Sequence, residues 1–178
     1  MFEWKPAELM EETDHSSLSG EERVGLMQAR LRLASRILSL FYTDLVAVAE
    51  AEELAVGPIE GFEFAADEIR AALTWTRRAA ETQLDLARCL VEDHPVVWQA
   101  LREGRIDLPR ARVIVEGLRS LDEEVAGKVA PEILSYAVSH TTGQIAARLR
   151  KLLITVDPDA AAKSYKEGLE DLRVELGA

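Results

Sequence analysis

The stretch that decides the fold is residues 19–54, SGEERVGLMQARLRLASRILSLFYTDLVAVAEAEEL. Ser19 and Glu22 have the spacing of a capping box, in which each side chain bonds the backbone N–H group of the other residue, so a helix is predicted to begin at Gly20. Apolar residues then recur at alternating steps of three and four, the spacing of a heptad repeat, at Val24, Met27, Leu31, Ala34, Leu38, Phe41, Leu45 and Val48. This pattern predicts one long helix over about residues 20–54.

The length of this helix bears on its surroundings. It would be roughly 50 Å long, whereas a compact chain of 178 residues has a radius of gyration of about 16 Å. The helix therefore overhangs a single globule unless a partner covers it or it breaks near residues 42–44. We predict a homodimer through residues 24–48; the alternative is a core helix inside one bundle.

Composition and charge limit the classes of function. The chain is 48 % hydrophobic, so it can bury a core, and its net charge of −11 opposes general affinity for nucleic acid. The charge is uneven, because residues 1–65 carry 13 acids and 5 bases, residues 66–120 carry 9 of each, and residues 121–178 carry 10 and 7. All nine bases of the middle block are arginine, whose planar guanidinium group suits phosphate. Local DNA binding by this block therefore stays open.

Several kinds of site are not expected. Cys89 is the single cysteine, and His15, His94 and His140 lie in different helical turns, so neither a disulfide nor a metal site is predicted, and no cofactor is expected. The first residues are acidic, unlike a signal peptide. No apolar stretch reaches the ~20 residues that span a bilayer. The protein is predicted to be soluble and cytoplasmic, with no membrane partner.

The predicted fold class is all-α. We expect an acidic, flexible arm at residues 1–18, the long helix at 19–56 and a helical domain at 62–172, which follows a linker at Gly57, Pro58 and Gly61. Helix starts are predicted from capping residues and prolines. The shorter helices are expected at 62–73, 77–91, 95–101, 108–118, 131–139, 142–154 and 158–172, with a strand fragment at 173–176 that has no evident partner.

Residues 66–91 have the form of a helix-turn-helix unit, with Thr76 as the N-cap of the second helix. In DNA-binding units of this form, the second helix enters the major groove and its first residues contact bases and phosphates. A hydroxyl group and guanidinium groups at a helix N-terminus suit phosphate. The candidate nucleic-acid-binding residues are Thr76, Arg77, Arg78 and Thr82, to which Gln83 or Arg88 can add contacts.

Other features oppose this interpretation. Thr74 holds the turn position that glycine often occupies, so a left-handed conformation there would be strained. Glu81 and Asp85 lie on the second helix and would repel phosphates. Arginines at this spacing also form ordinary ion pairs on helix surfaces, so the purely structural interpretation stays open.

Two sequence runs resemble a bacterial family of unknown function that usually precedes an HNH nuclease module. The first run is DEIRAALTWTRRAAETQLDLARCLVEDHPVVWQALREGRIDLPRARVIVEGL, and the second is HTTGQIAARLRKLLITVDPDAA. Together they extend the resemblance over about residues 20–175. The matching residues are Trp75, Thr76, Arg78, Ala79, Ala80, Leu84, Ala87, Leu90, Pro95, Ala100, Leu101, Gly104, Ile106, Ala111 and Ile114, followed by Leu149, Asp157, Pro158, Ala160 and Ala161.

The resemblance implies a link to nucleases but supplies no catalytic residue. An HNH module needs a histidine-rich site holding a metal that activates water, and after Pro158 the chain has no His, Cys or Asn. We expect either the front part of a longer nuclease or a relative without the nuclease module. Whether the chain is part of an enzyme therefore stays open.

The sequence thus favours a non-catalytic, helical module that binds DNA or targets an associated HNH endonuclease to it. Double-stranded DNA is the expected partner, and Arg110, Arg112 and Arg148 are expected to assist the four residues of the helix-turn-helix unit. The alternative is a helical dimerisation or protein-interaction module without nucleic-acid binding, in which the acidic N-terminal block docks a basic partner.

Overall fold

The computed structural model describes residues 10–119 and 121–156. It confirms the predicted all-α class, since these residues form α-helices with short connections and contain no strand. The helix predicted at 158–172, the strand fragment at 173–176 and the first nine residues lie outside the described residues. The chain divides into two compact units between Ala111 and Arg112. This boundary falls inside the helical domain predicted at 62–172.

The first helix, α1, spans Gly20–Val56 and is continuous through residues 42–44. It begins as predicted, because the Glu22 N–H group donates to Ser19 Oγ (3.3 Å) and the Ser19 N–H group donates to Glu22 Oε2 (2.8 Å). It is about 55 Å long at 1.5 Å per residue. It ends at Gly57, whose φ of 99° lies in the left-handed region that favours glycine.

Part of the N-terminal arm contacts α1. The Arg23 side chain donates to the His15 carbonyl oxygen at 3.0 Å. Arg30 donates to the Glu11 carbonyl oxygen at 2.6 Å and to Thr13 Oγ1 at 2.9 Å. Residues 11–15 therefore run along the first three turns of the helix.

The buried face of α1 differs from the predicted heptad face. Among the eight heptad residues, Leu45 alone is buried, whereas Val24, Met27 and Leu31 are 51 %, 63 % and 52 % exposed. Half of the buried α1 side chains are alanine or serine, and the buried residues are Leu26, Ala29, Ser35, Ser39, Tyr42, Leu45, Val46 and Ala49. Small side chains let neighbouring helices approach closely, which favours burial of the face that carries them. The buried face of α1 is therefore not the face with the most regular apolar spacing.

The second helix, α2, spans Pro58–Leu73 and forms a hairpin with α1. The linker predicted at residues 57–61 is only the single residue Gly57, because Pro58 opens the helix and Gly61 lies inside it. A Cβ atom on Gly61 would lie 2.6 Å from the Cα atom of Glu53. Gly61 is therefore needed for the close approach of two helix backbones rather than for a turn.

We expect Gly61→Ala to lower the free energy of unfolding by about 2 kcal/mol or more, because backbone atoms cannot yield to the added methyl group. Chemical denaturation measures this change. Gly25→Ala is the matched control, since a Cβ atom there meets nothing within 4 Å, and it should raise the free energy by up to about 1 kcal/mol. Equal effects of the two substitutions would contradict the packing described.

The third helix, α3 (Arg77–Arg88), continues into a π-helical turn at Cys89–Asp93, and α4 (Pro95–Arg102) follows. Polar contacts join these elements to α1: Tyr42 donates to Gln83 Oε1 (2.7 Å), and the Trp98 indole N–H group donates to the Ser39 carbonyl oxygen (3.1 Å). Arg88 bonds Glu53 and lies over the Phe62 ring. The core of this unit includes Leu84, Leu90, Val97 and Leu101, all fully buried.

The helix α5 (Leu108–Leu118) spans the boundary between the units, and α6 (Glu123–Ala137) and α7 (Thr142–Val156) complete the second unit. Asp107 caps α5, because its side chain accepts from the Arg110 N–H group at 3.1 Å, and Thr141 caps α7, because its hydroxyl oxygen accepts from the Gln144 N–H group at 3.4 Å. Pro131 lies inside α6 instead of opening a helix, and α6 begins after Asp122. Ile114, Leu118, Ile133 and Ile145 are fully buried in this unit. None of the described helices has the length and hydropathy of a membrane span.

Candidate functional site

The candidate site is the three-residue turn between α2 and α3 and the first turn of α3. Thr74 ends α2 in the left-handed conformation (φ 56°, ψ 39°), and the Trp75 N–H group donates to the Arg70 carbonyl oxygen at 3.0 Å. Thr76 then caps α3, because its hydroxyl oxygen accepts from the Ala79 N–H group at 3.2 Å. The predicted turn and its cap are therefore present. The Trp75 ring meets Phe41 of α1 edge to face, with centroids 6.2 Å apart, so this tryptophan anchors the turn to α1.

Thr74 is the one residue other than glycine with a positive φ in the described parts of the chain. A β-branched side chain is strained in this region, by about 1–2 kcal/mol. We therefore expect Thr74→Gly to raise the free energy of unfolding by about 0.5–1 kcal/mol, after the greater freedom of the unfolded glycine chain is subtracted. Thermal and denaturant unfolding measure the change. The same replacement inside α3, Thr82→Gly, should destabilise, and destabilisation by both would show that Thr74 is not strained.

Arg77 is already bound to acidic groups of the protein. Its Nε atom donates to Glu81 at 2.8 Å, and its Nη1 atom lies 3.9 Å from Asp67 of α2. The hydrogen bond to Glu81, followed by the charge of Asp67, raises the pKa of Arg77 above its ordinary value. Arg77 is therefore fully charged but has part of its hydrogen-bonding capacity occupied.

Arg78 and Thr82 lie on the exposed face of α3. Among the described residues, none forms a hydrogen bond or ion pair with the Arg78 guanidinium group. Thr82 donates its hydroxyl hydrogen to the Arg78 carbonyl oxygen at 2.7 Å. Its oxygen can still accept a hydrogen bond, but a phosphodiester group of DNA offers only acceptors. Arg78 is thus the side chain of this face with free donors for an anion.

The three arginines that were expected to assist are divided between the two units. Arg110 belongs to the first unit and pairs with Asp107 at the start of α5. Arg112 and Arg148 belong to the second unit, where Arg148 pairs with Glu132 of α6 at 2.5 Å. Gln83 and Arg88 are bound to α1 and do not extend the exposed face of α3.

The local charge around the first turn of α3 is slightly negative. Three arginines, Arg70, Arg77 and Arg78, lie in this part of α2 and α3 together with four acids, Glu63, Asp67, Glu81 and Asp85, of which Asp67 and Glu81 contact Arg77. The sequence pattern did not reveal the role of Asp67, because its contact with Arg77 depends on how α2 and α3 pack. The site therefore lacks the positive excess that attracts a nucleic-acid backbone over a distance.

A second candidate surface lies on the N-terminal half of α1. We call it the α1 apolar face and define it by Val24, Met27, Leu31, Ala34 and Leu38. Val24, Met27, Leu31 and Ala34 are exposed, and Leu38 is half-buried. Their spacing of three and four residues places them in one stripe along the helix. Exposed apolar surface that is contiguous in this way is typical of a protein–protein interaction site.

Groups suited to metal chemistry do not converge in the described residues, where no set of three His, Cys, Asp or Glu side chains could hold an ion. Cys89 is buried. His94 is buried at the start of α4, and burial lowers its pKa. His140 stacks on Tyr136, with ring centroids 3.5 Å apart.

Fold and surfaces together define an all-helical domain with two candidate contact sites. A family model described as a domain of unknown function (DUF222) matches residues 21–175, and the chain belongs to this family. No curated protein and no solved structure matches it.

Proposed function

We propose that this domain is a helical interaction module that self-associates through the α1 apolar face. The observation that carries the proposal is the exposure of Val24, Met27 and Leu31, each of which is more than half accessible to solvent. Large apolar side chains are usually buried, and these three lie in one stripe along the helix. This was the alternative in the sequence interpretation, and the distribution of exposed side chains now favours it.

The chemistry of the stripe fits pairing of two helices. Apolar side chains in alternating steps of three and four form a continuous seam when two helices pack at a small crossing angle. Ala34 is small and lies in the middle of the stripe, so it permits close contact between the helix axes. No polar side chain interrupts the five positions.

We expect the wild-type protein to be a dimer at tens of micromolar and Met27→Glu with Leu31→Glu to weaken the association at least about tenfold, because two buried charges without partners oppose contact. Sedimentation equilibrium measures the mass. The substituted side chains are exposed in a single copy, so circular dichroism should show an unchanged helical fold, and thermal stability should fall only by what the association contributes.

The matched control for this experiment is Val96→Glu with Val138→Glu, which places the same charges on exposed valines elsewhere. The control should remain dimeric. A wild-type monomer throughout the concentration range would refute the proposal, and equal loss of association in the control would remove its link to the α1 apolar face.

The second candidate function is binding of duplex DNA as a targeting module. The resemblance to domains that precede HNH nuclease modules implies it. The observation that favours it is Arg78, exposed and without an ion pair at the start of α3, next to the capped N-terminus at Thr76. Both candidate functions fit a cytoplasmic protein.

For DNA binding, we expect Arg78→Gln to weaken binding of a duplex at low salt and to reduce the slope of log affinity against log salt by about one, as for loss of one phosphate contact. Fluorescence anisotropy with a labelled duplex measures both quantities. Arg36→Gln is the control, since Arg36 is an exposed arginine of α1 and belongs to neither the turn nor α3. If the wild type shows no salt-dependent affinity, or if both variants behave alike, this candidate fails.

A further inference from the structure

The described part of the N-terminal arm follows one line along α1. The His15 carbonyl oxygen accepts from Arg23, and the Glu11 carbonyl oxygen and Thr13 Oγ1 accept from Arg30. Arg23 and Arg30 are seven residues apart, which is about two turns, so they lie one above the other on the same side of the helix. Because the earlier residues of the arm bond the later arginine, the arm runs antiparallel to α1.

The line of the arm continues to exposed apolar side chains of α1. At about 100° per residue, Ile37 lies within about 20° of Arg30, and Leu40 lies about 80° away, on the side opposite to the α1 apolar face. Ile37 is 49 % exposed and Leu40 is 47 % exposed. We call these two residues the Ile37–Leu40 patch.

Burial on this side of α1 changes where the described arm ends. Leu26 and Ala29 lie on the same side of the line as Leu40, and they are 1 % and 8 % exposed. They belong to the turns of α1 that the arm accompanies, whereas the Ile37–Leu40 patch belongs to the turns beyond them. Apolar side chains on this side of the helix are therefore buried alongside the arm and exposed past it.

The segment that precedes the described arm has the length and the side chains to cover this patch. Residues 1–9 include the apolar residues Phe2, Trp4 and Leu9. Nine residues extend over about 14 Å as a helix and over up to about 30 Å as an extended chain. Ile37 is about 10 Å beyond Arg30 along the axis of α1, so either conformation reaches it.

Charge and connectivity favour the same occupant. Residues 1–14 contain five acids and one lysine, whereas residues 23–43 of α1 contain four arginines and no acid. Two of these arginines already bond the arm. Because residues 1–9 are attached to α1 through the arm, their contact with the patch is intramolecular and loses less translational freedom than binding of a separate partner.

We propose that residues 1–9 pack on the Ile37–Leu40 patch of the same chain, with Phe2 and Trp4 over these two side chains. The arm is then a strap that follows α1 from Arg23 to the patch and covers apolar surface that would otherwise attract a partner. The proposal does not depend on self-association, because the α1 apolar face lies on the other side of the line of the arm.

The reactivity of a cysteine in the patch tests this placement in the full chain at nanomolar protein concentration. We expect Leu40→Cys to react with a maleimide at least about fivefold faster when Phe2→Ser and Trp4→Ser are also present, because the cover of the patch is lost. Val96→Cys, which is exposed on α4, should react at the same rate with and without the two serines. Circular dichroism verifies the helical fold of each variant.

The matched control within the arm is Lys5→Ser with Glu8→Ser, which removes one charge of each sign. It should change the rate of Leu40→Cys by less than about twofold, because exposed ion pairs contribute little. Equal rates of Leu40→Cys with and without Phe2→Ser and Trp4→Ser would overturn the proposal.

The dependence on protein concentration separates the strap from a second copy. Protection of Leu40→Cys that appears only at tens of micromolar protein would assign the patch to a second copy and overturn the proposal. A rate difference caused by Phe2→Ser and Trp4→Ser in a protein that is monomeric throughout would support the strap and refute the self-association proposed above.

Discussion

The approach of α2 to α1 at Gly61 is the constraint on which the first unit depends. A methyl group at this position would lie 2.6 Å from backbone atoms of Glu53, so only glycine permits the observed spacing. The position of α2 sets where the turn at residues 74–76 begins, and Trp75 then packs on Phe41. Arg88 at the end of α3 joins this helix to the hairpin, because it bonds Glu53 of α1 and lies over the Phe62 ring of α2.

The long helix α1 has two roles, and a different part of its surface serves each of them. Its buried face supplies small side chains and polar anchors, such as the Ser39 carbonyl group that binds Trp98. Its N-terminal half presents apolar side chains to solvent and contains only arginines as charged groups between residues 23 and 43. A helix with this division can hold one domain together and still present a surface to a second copy.

Local signals in the sequence predicted local structure well. The caps at Ser19 and Thr76 depend on side chains within three residues, so the sequence was sufficient to predict them. Gly61 and Pro131 were assigned wrongly to helix boundaries. Both residues disfavour a helix interior in isolation, and only packing decides whether the helix continues.

Features that depend on packing between helices could not be predicted from the spacing of residues in the sequence. Apolar residues surround most of α1, since Leu26 and Met27 are neighbours on different faces, and periodicity alone cannot select the buried one. The partner of Arg77 was missed for a similar reason, because Asp67 is ten residues away and reaches it only through packing of α2 against α3. Within the described residues, the predicted DNA-contacting set therefore contains three paired arginines, Arg77, Arg110 and Arg148, and two without an ion pair, Arg78 and Arg112.

Chemical protection of a cysteine at position 27 tests whether a second copy covers the α1 apolar face in solution. In one copy, Met27 is 63 % exposed, whereas Cys89 is buried and serves as a slow internal reference. If the protein self-associates, Met27→Cys reacts rapidly with a maleimide at nanomolar protein concentration and is protected at tens of micromolar protein. Val96→Cys reacts rapidly at both protein concentrations. Equal reactivity of position 27 at the two concentrations would contradict self-association, because the α1 apolar face would then be uncovered in solution.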